Sequence, residues 1–167
     1  MLWLGYELYI IETENKFNLV MKVSSLFLVI LISTNLSAEL KSKLDRQIEE
    51  LMPKVIEWRH DIHQYPELGN REFRTSKKIE EHLVSLGIEV ETKIAYTGLV
   101  GLIKGGKPGP TIALRADMDA LPVEEKTGLP FASKVRTTYL GNDVGVMHAC
   151  GHDAHVAILM GVAEFLA

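Results

Sequence analysis

The sequence predicts an α/β layered fold, and three observations carry that expectation. Between Glu39 and Leu86 the apolar residues recur at steps of three and four, the period of helices that bury one stripe. Between Ile88 and Ala116 the period shortens to two, then gives way to a continuous apolar run, as strands do. From Asp153 onward the chain reads as a helix again, apolar almost all round. Helices before and after strands imply an α/β layered arrangement.

The elements follow in order. Leu40, Leu44, Ile48, Leu51, Val55, Trp58 and Ile62 form the stripe of a helix from Glu39 to about Gln64. Pro53 lies inside it and is expected to kink or split it. Tyr65 to Asn70 reads as a loop. A second helix runs from about Arg71 to Leu86, with Phe73, Ile79, Leu83 and Leu86 on one face and Gly87 as its C-terminal cap. Ile88–Ile94 alternates as a half-exposed strand, and Leu99–Lys104 reads as a second. Gly105 to Pro110 is a turn; it lacks the Gly-Lys-Ser/Thr ending and following helix of a phosphate loop. Thr111–Ala116, TIALRA, has the character of a strand buried within a sheet. Residues 120–143 read mostly as loop, and Val144–Met147 as a short buried strand. Asp153 is placed to cap the N-terminus of the last helix.

Composition bounds the function. The chain has 167 residues, 47% apolar and 24% charged, which excludes a disordered, collagenous or disulfide-stapled class. Its net charge of -4 argues against a nucleic-acid partner. A single cysteine excludes an intrachain disulfide.

The N-terminal residues are expected to lie outside the fold. Lys22, the apolar run Val23–Ile32 and a small-residue exit ending at Ala38 form a secretory signal pattern. The run is too short for a membrane span, which needs about 20 apolar residues. Residues 1–20 are then an upstream extension with translation starting at Met21, residues 21–38 the signal, and residues 39–167 the mature chain. The expected location is outside the cytoplasm, without stable membrane insertion after cleavage.

Chemistry concentrates at the segment from His148 to His155. In an extended loop, residues two apart point the same way, so Cys150 and His152 can reach one metal or adjacent metals. Gly151 between them permits unusual backbone angles. A thiolate beside an imidazole suits zinc and its neighbours rather than magnesium or calcium. His148, Asp153 and His155 are neighbours of such a site. Asp117 and Asp119 stand at the carboxyl end of the expected buried strand, where open α/β sheets bind ligands, and a carboxylate there can orient a ligating imidazole.

Three motifs resemble one family. Trp58–Leu68 (WRHDIHQYPEL), Arg115–Pro122 (RADMDALP) and Met147–His155 (MHACGHDAH) are similar, in order and spacing, to the amidohydrolase branch of the aminoacylase and carboxypeptidase-like metallopeptidases. That branch includes hippurate hydrolases and indole-acetyl-amino-acid hydrolases. The resemblance implies the N-terminal part of a three-layer α/β/α catalytic domain, without the lid or dimerisation domain. It implies two divalent ions, zinc, manganese, cobalt or nickel, with Cys150 and His152 as metal ligands and Asp119 supporting the site from beneath. Asp117 stands where other branches carry a ligating His. The implied reaction is hydrolysis of the amide bond of N-acyl amino acids or short peptides, in a full-length protein that forms a homo-oligomer.

The general base of the family is a Glu from a Glu-Glu pair beyond the third motif. Only fifteen residues follow His152, and Glu164 is their only acid besides Asp153. The expectation is a chain that holds half the site and is inactive alone. The alternative is a short non-catalytic protein that binds metal or a partner.

Overall fold

The computed structural model describes the backbone of residues 15–167 and the side chains from Ala38 onward. Residues 1–14 of the expected upstream extension lie outside the described residues, and of residues 15–37, which include most of the expected signal, only the backbone is described. No helix among the described residues is long and apolar enough to cross a membrane. The chain divides into two compact units, Met1–Arg46 and Gln47–Ala167. The first consists, where described, of helix. The second carries the C-terminal part of that helix and every other element discussed below.

Helix α1 spans Asn15–Gln64 and runs through Pro53 without a break. The expected split does not occur: Pro53 and Glu49 are both exposed, so the carbonyl deprived of its donor faces water. Burial deepens toward the C-terminal end: Ile48 is exposed, Leu51, Val55 and Trp58 are half-buried, and Ile62 is fully enclosed.

Helix α2, Phe73–Ser85, begins under a cap from the preceding loop. Glu67 accepts hydrogen bonds from the backbone N–H of Arg74 at 3.0 Å and of Thr75 at 2.8 Å. Two of the donors that a helix start leaves free are thus satisfied by a carboxylate, which also favours the positive end of the helix dipole. The helix ends as expected at Gly87, whose φ is 74°. The N–H of Gly87 bonds the carbonyl of Val84, that of Ile88 bonds Leu83, and the two flanking side chains pack together. This is the glycine-terminated motif in full.

Strands β1, Glu89–Ile94, and β2, Gly98–Leu102, pair antiparallel, with Val90 opposite Gly101. Leu83 of α2 and Ile88 gather Ile79, Val90 and Leu99 beneath them. A second hairpin joins β3, Arg136–Tyr139, to β4, Asn142–Gly145. It lies partly within the stretch expected to be loop. Its signal was the Leu140-Gly141 pair, both at positive φ (51° and 79°), as a two-residue hairpin turn requires.

Thr111–Ala116 departs from expectation. It is not paired as a strand, and Ile112 and Leu114 are 80% and 60% exposed. An apolar strand becomes buried only when strands flank it and layers cover it, and among the described residues none does. Order returns at Ala120. Its N–H bonds the carbonyl of Glu67 at 2.8 Å, and Leu121 and Met147 exchange backbone hydrogen bonds at 3.0 Å. Leu68, Ala120 and Val146 pack where these strands of backbone meet.

Helix α3 covers His152–Leu166. Its N-cap is Gly151 in the left-handed conformation, at φ 82°, and not Asp153. Asp153 sits inside the first turn and is buried. Val156 and Met160 pack on Ile62 of α1, with Ile79 of α2 and Met118 alongside. The opposite side, at Ile158 and Leu166, is exposed, so the helix buries one face among the described residues instead of being enclosed all round.

Candidate metal centre

The site grows from two anchored pieces of chain. Ala120 and Leu121, held by Glu67 and Met147, fix Asp119 and Asp117 just before them. Gly151 turns the chain into α3, which presents His152 in its first position and His155 one turn later. Residues three apart lie on one helix face. Asp117, His152 and His155 accordingly converge, each offering one donor atom within 4.8 Å of the others.

The orientation of His152 is set from behind. Its Nδ1 lies 2.9 Å from the backbone carbonyl oxygen of Asp119 and 3.0 Å from Oδ1 of the same residue. A carbonyl oxygen can only accept, so Nδ1 is the donor here and Nε2 is the nitrogen left to face a ligand. Carboxylate or carbonyl support of this kind is how ligating imidazoles are held in one tautomer.

Asp117 is ionised. Hydrogen bonds from Arg115 Nε and Nη2 to Oδ1, at 3.1 and 2.7 Å, hold its carboxyl below the usual carboxylate range. The positive potential of Arg115, with smaller effects from His152 and His155, acts in the same direction. Oδ2 remains free. One carboxylate oxygen and two imidazole nitrogens make a donor set that fits zinc, manganese, cobalt or nickel.

Of the residues singled out in the sequence, the structure thus brings Asp117, Asp119, His152 and His155 together. Cys150 is exposed and stands outside the three-residue cluster. His148 is 4% exposed, and neither ring nitrogen has a hydrogen-bond partner. Burial pushes its pKa down to about 4 against the opposing pull of Asp153, so the ring is neutral near pH 7.

Asp153 looks away from the cluster. Its Oδ2 accepts from His63 Nδ1 at 2.9 Å and from Arg59 Nε at 3.2 Å. Burial works to raise this carboxyl, but hydrogen bonds from His63 and the Ala154 N–H outweigh it and hold it low. His63 Nε2 lies 3.1 Å from Glu125 Oε1. Glu125 also takes the Thr127 hydroxyl and the Ser133 N–H, each at 2.5 Å. Burial opposes its ionisation too, and these donors together with His63 prevail. The sequence offered no sign of this network beyond the histidine itself, since the contacts that Arg59 and His63 make to Asp153 and Glu125 span 62 to 94 residues.

The chain is similar to known proteins. Residues 113–167 match peptidase family M20/M25/M40. Thermostable carboxypeptidase 1 of Saccharolobus solfataricus is 52% identical over 129 residues, 77% of this chain and 31% of that protein. N-acetyl-L-cysteine deacetylase of Bacillus subtilis is 47% identical over 119 residues, 71% of this chain and 27% of that protein. Among solved structures, the Bacillus subtilis YXEP protein, a dinuclear metal binding peptidase from the M20 family, superimposes with a TM-score of 0.62 at 43% identity. That match covers 71% of this chain and 31% of the other. The chain spans about a third of the length of the relatives it matches.

Proposed function

The chain belongs to the M20 peptidase family along the stretch it shares with these relatives, and from that premise we propose that it supplies metal-binding residues of a metal-dependent amide hydrolase. The observation that carries the reading is the convergence of Asp117, His152 and His155, with His152 held in one tautomer by Asp119. The substrates proposed are N-acyl amino acids or short peptides. Support comes from relatives named as a carboxypeptidase and an N-acetylcysteine deacetylase.

Asp117, His152 and His155 would hold one divalent ion. The likeness to the YXEP protein, a dinuclear metal binding peptidase, supports a second, for which Cys150 is the nearby soft ligand. The chemistry that such ions would supply is Lewis acidity toward a carbonyl oxygen and a water. The chain's own residues prepare that step. Asp119 keeps the proton on His152 Nδ1, and Arg115 keeps Asp117 charged.

A general base is a separate requirement. Among the described residues, the carboxylates around the cluster are engaged: Asp117 with Arg115, Asp119 with His152, and Asp153 with His63 and Arg59. We therefore propose that residues 1–167 by themselves bind metal without turning substrate over. The signal pattern at residues 21–38 supports export of the protein.

The test incubates the purified chain with zinc, manganese, cobalt or nickel and an N-acetyl amino acid, and follows release of the free amine. Metal binding without turnover is expected. Turnover on the order of 1 per second refutes the division of labour, and failure to bind any of the four metals refutes the site.

A further inference from the structure

His63 belongs to α1, and nothing in the metal chemistry above requires it. It is nevertheless 5% exposed and makes polar contacts on both ring nitrogens. Nδ1 meets Asp153 in the first turn of α3, and Nε2 meets Glu125 in the segment between Leu121 and β3. Phe131, from that same segment, stacks on His60 at 3.7 Å between ring centroids and sets its edge against His63 at 5.5 Å. One imidazole thus ties three pieces of chain together.

The tie bears on the site through helix geometry. Successive helical residues are rotated by about 100°, so residues three apart differ by only about 60°. His152 and His155 therefore share a face, while Asp153 points away from it toward α1. Fixing Asp153 fixes the rotation of α3 about its own axis, and with it the aim of both histidines. Asp153 is 1% exposed, so its charge must be met within the protein. Arg59 meets it from a half-exposed position, whereas His63 meets it from the buried side at the shorter distance. The far nitrogen of His63 is held in turn by Glu125, which is anchored by Thr127 and Ser133. The ring therefore cannot rotate to follow a drifting Asp153.

We infer that His63 is a positioning residue for the metal centre: bridging Asp153 and Glu125, it locks the rotation of α3 that aims His152 and His155 at Asp117. The inference rests on the metal reading above. It predicts that metal affinity depends on a side chain that touches neither the metal nor any of its ligands.

The experiment is cobalt(II) titration of the full chain, followed by calorimetry and by the visible ligand-field spectrum. Wild type is compared with His63→Ala, His63→Gln and Glu125→Ala, with far-UV circular dichroism of each metal-free chain. Loss of the bridge in His63→Ala is expected to weaken cobalt binding by about 10- to 100-fold, the range for lost support behind a ligand, and to shift the spectrum. His63→Gln keeps one N–H for Asp153 and recovers part of the affinity. Glu125→Ala, which leaves His63 in place but releases its far side, weakens binding by about threefold or more and shifts the spectrum in the same sense. A His63→Ala chain of wild-type helicity that binds cobalt within about threefold of wild type, with an unchanged spectrum, overturns the inference. If that variant lacks wild-type helicity, Glu125→Ala decides: unchanged affinity and spectrum overturn the inference, and weakened binding supports it. A wild-type chain that binds no cobalt sinks the metal reading and this inference together, whereas normal wild-type binding with indifferent variants sinks this inference alone.

Discussion

Lowering the pH should destabilise this chain well before its carboxylates titrate, because of one histidine. His148 is 4% exposed and has no hydrogen-bond partner on either nitrogen, and burial pushes its pKa from 6.5 to about 4. In the unfolded chain the ring titrates near its ordinary value of about 6.5. Between those two values the unfolded state binds a proton that the native state does not, so stability rises with pH across the window and falls on acidification. Over the whole interval the effect is about 3 kcal/mol, and between about pH 7 and pH 4.5 it is about 2.5 kcal/mol. That is a large share of the roughly 5–15 kcal/mol that holds a domain folded. Asp61, Glu125 and Asp153 are held below their ordinary values by cationic or hydrogen-bonding neighbours despite burial, so their contributions are present above the usual carboxylate range and are lost only below it. The histidine window is therefore separate. Urea unfolding of the chain in EDTA, read by far-UV circular dichroism from about pH 7 to pH 4.5, measures it, and the chelator removes the pH dependence that metal binding would add. His148→Leu, similar in size and without unpartnered nitrogens, should flatten the profile to within about 0.5 kcal/mol and be no less stable at neutral pH. A flat wild-type profile, or a His148→Leu profile parallel to it, refutes the reasoning.

Three further outcomes are expected. Gly161→Ala in α3 gains up to about 1 kcal/mol of helix propensity, but the new Cβ falls 2.8 Å from Val55 Cγ2, and overpacking costs about 1–3 kcal/mol; thermal melting should show a net loss, and a raised Tm contradicts the packing. Leu140 is 82% exposed and sits at φ 51°, a conformation that costs an ordinary L-residue about 1–2 kcal/mol and asparagine less, so Leu140→Asn should raise the urea midpoint; a lowered midpoint contradicts the turn. Asp119→Ala removes the carboxylate behind His152 but leaves the backbone carbonyl, so cobalt affinity should fall by about tenfold, the low end for such support; unchanged affinity by calorimetry contradicts the role given to Asp119.

The legible parts of the fold were those whose signals are local. Helix α2 carried most of its period and its terminating Gly87 in one short stretch: Ile79, Leu83, Leu86 and Gly87 appear as read, while Phe73, expected on the same face, is 66% exposed. Thr111–Ala116 has the composition of a buried strand, yet Ile112 is 80% exposed. The composition records what the segment is suited to pair with, while burial depends on the partners being present. Pro53 carried a local signal for a split that does not occur, since exposure lets water donate to the Glu49 carbonyl the hydrogen bond that the proline cannot.

At the site, the outcome turned on where one helix begins. An extended reading of Cys150-Gly151-His152 gives a period of two and pairs the cysteine with the histidine. With Gly151 left-handed and α3 starting at His152, the period becomes 3.6, and the partner of His152 is His155, one turn on. The same shift of phase moves Asp153 from the cap to the buried side of the first turn. There it meets His63, 90 residues earlier in the chain. No local pattern encodes that meeting, because it depends on α1 and α3 packing through Ile62, Val156 and Met160. Residue types thus pointed to a metal site, while the helix start decided which of them converge and the interhelical core decided what holds them there.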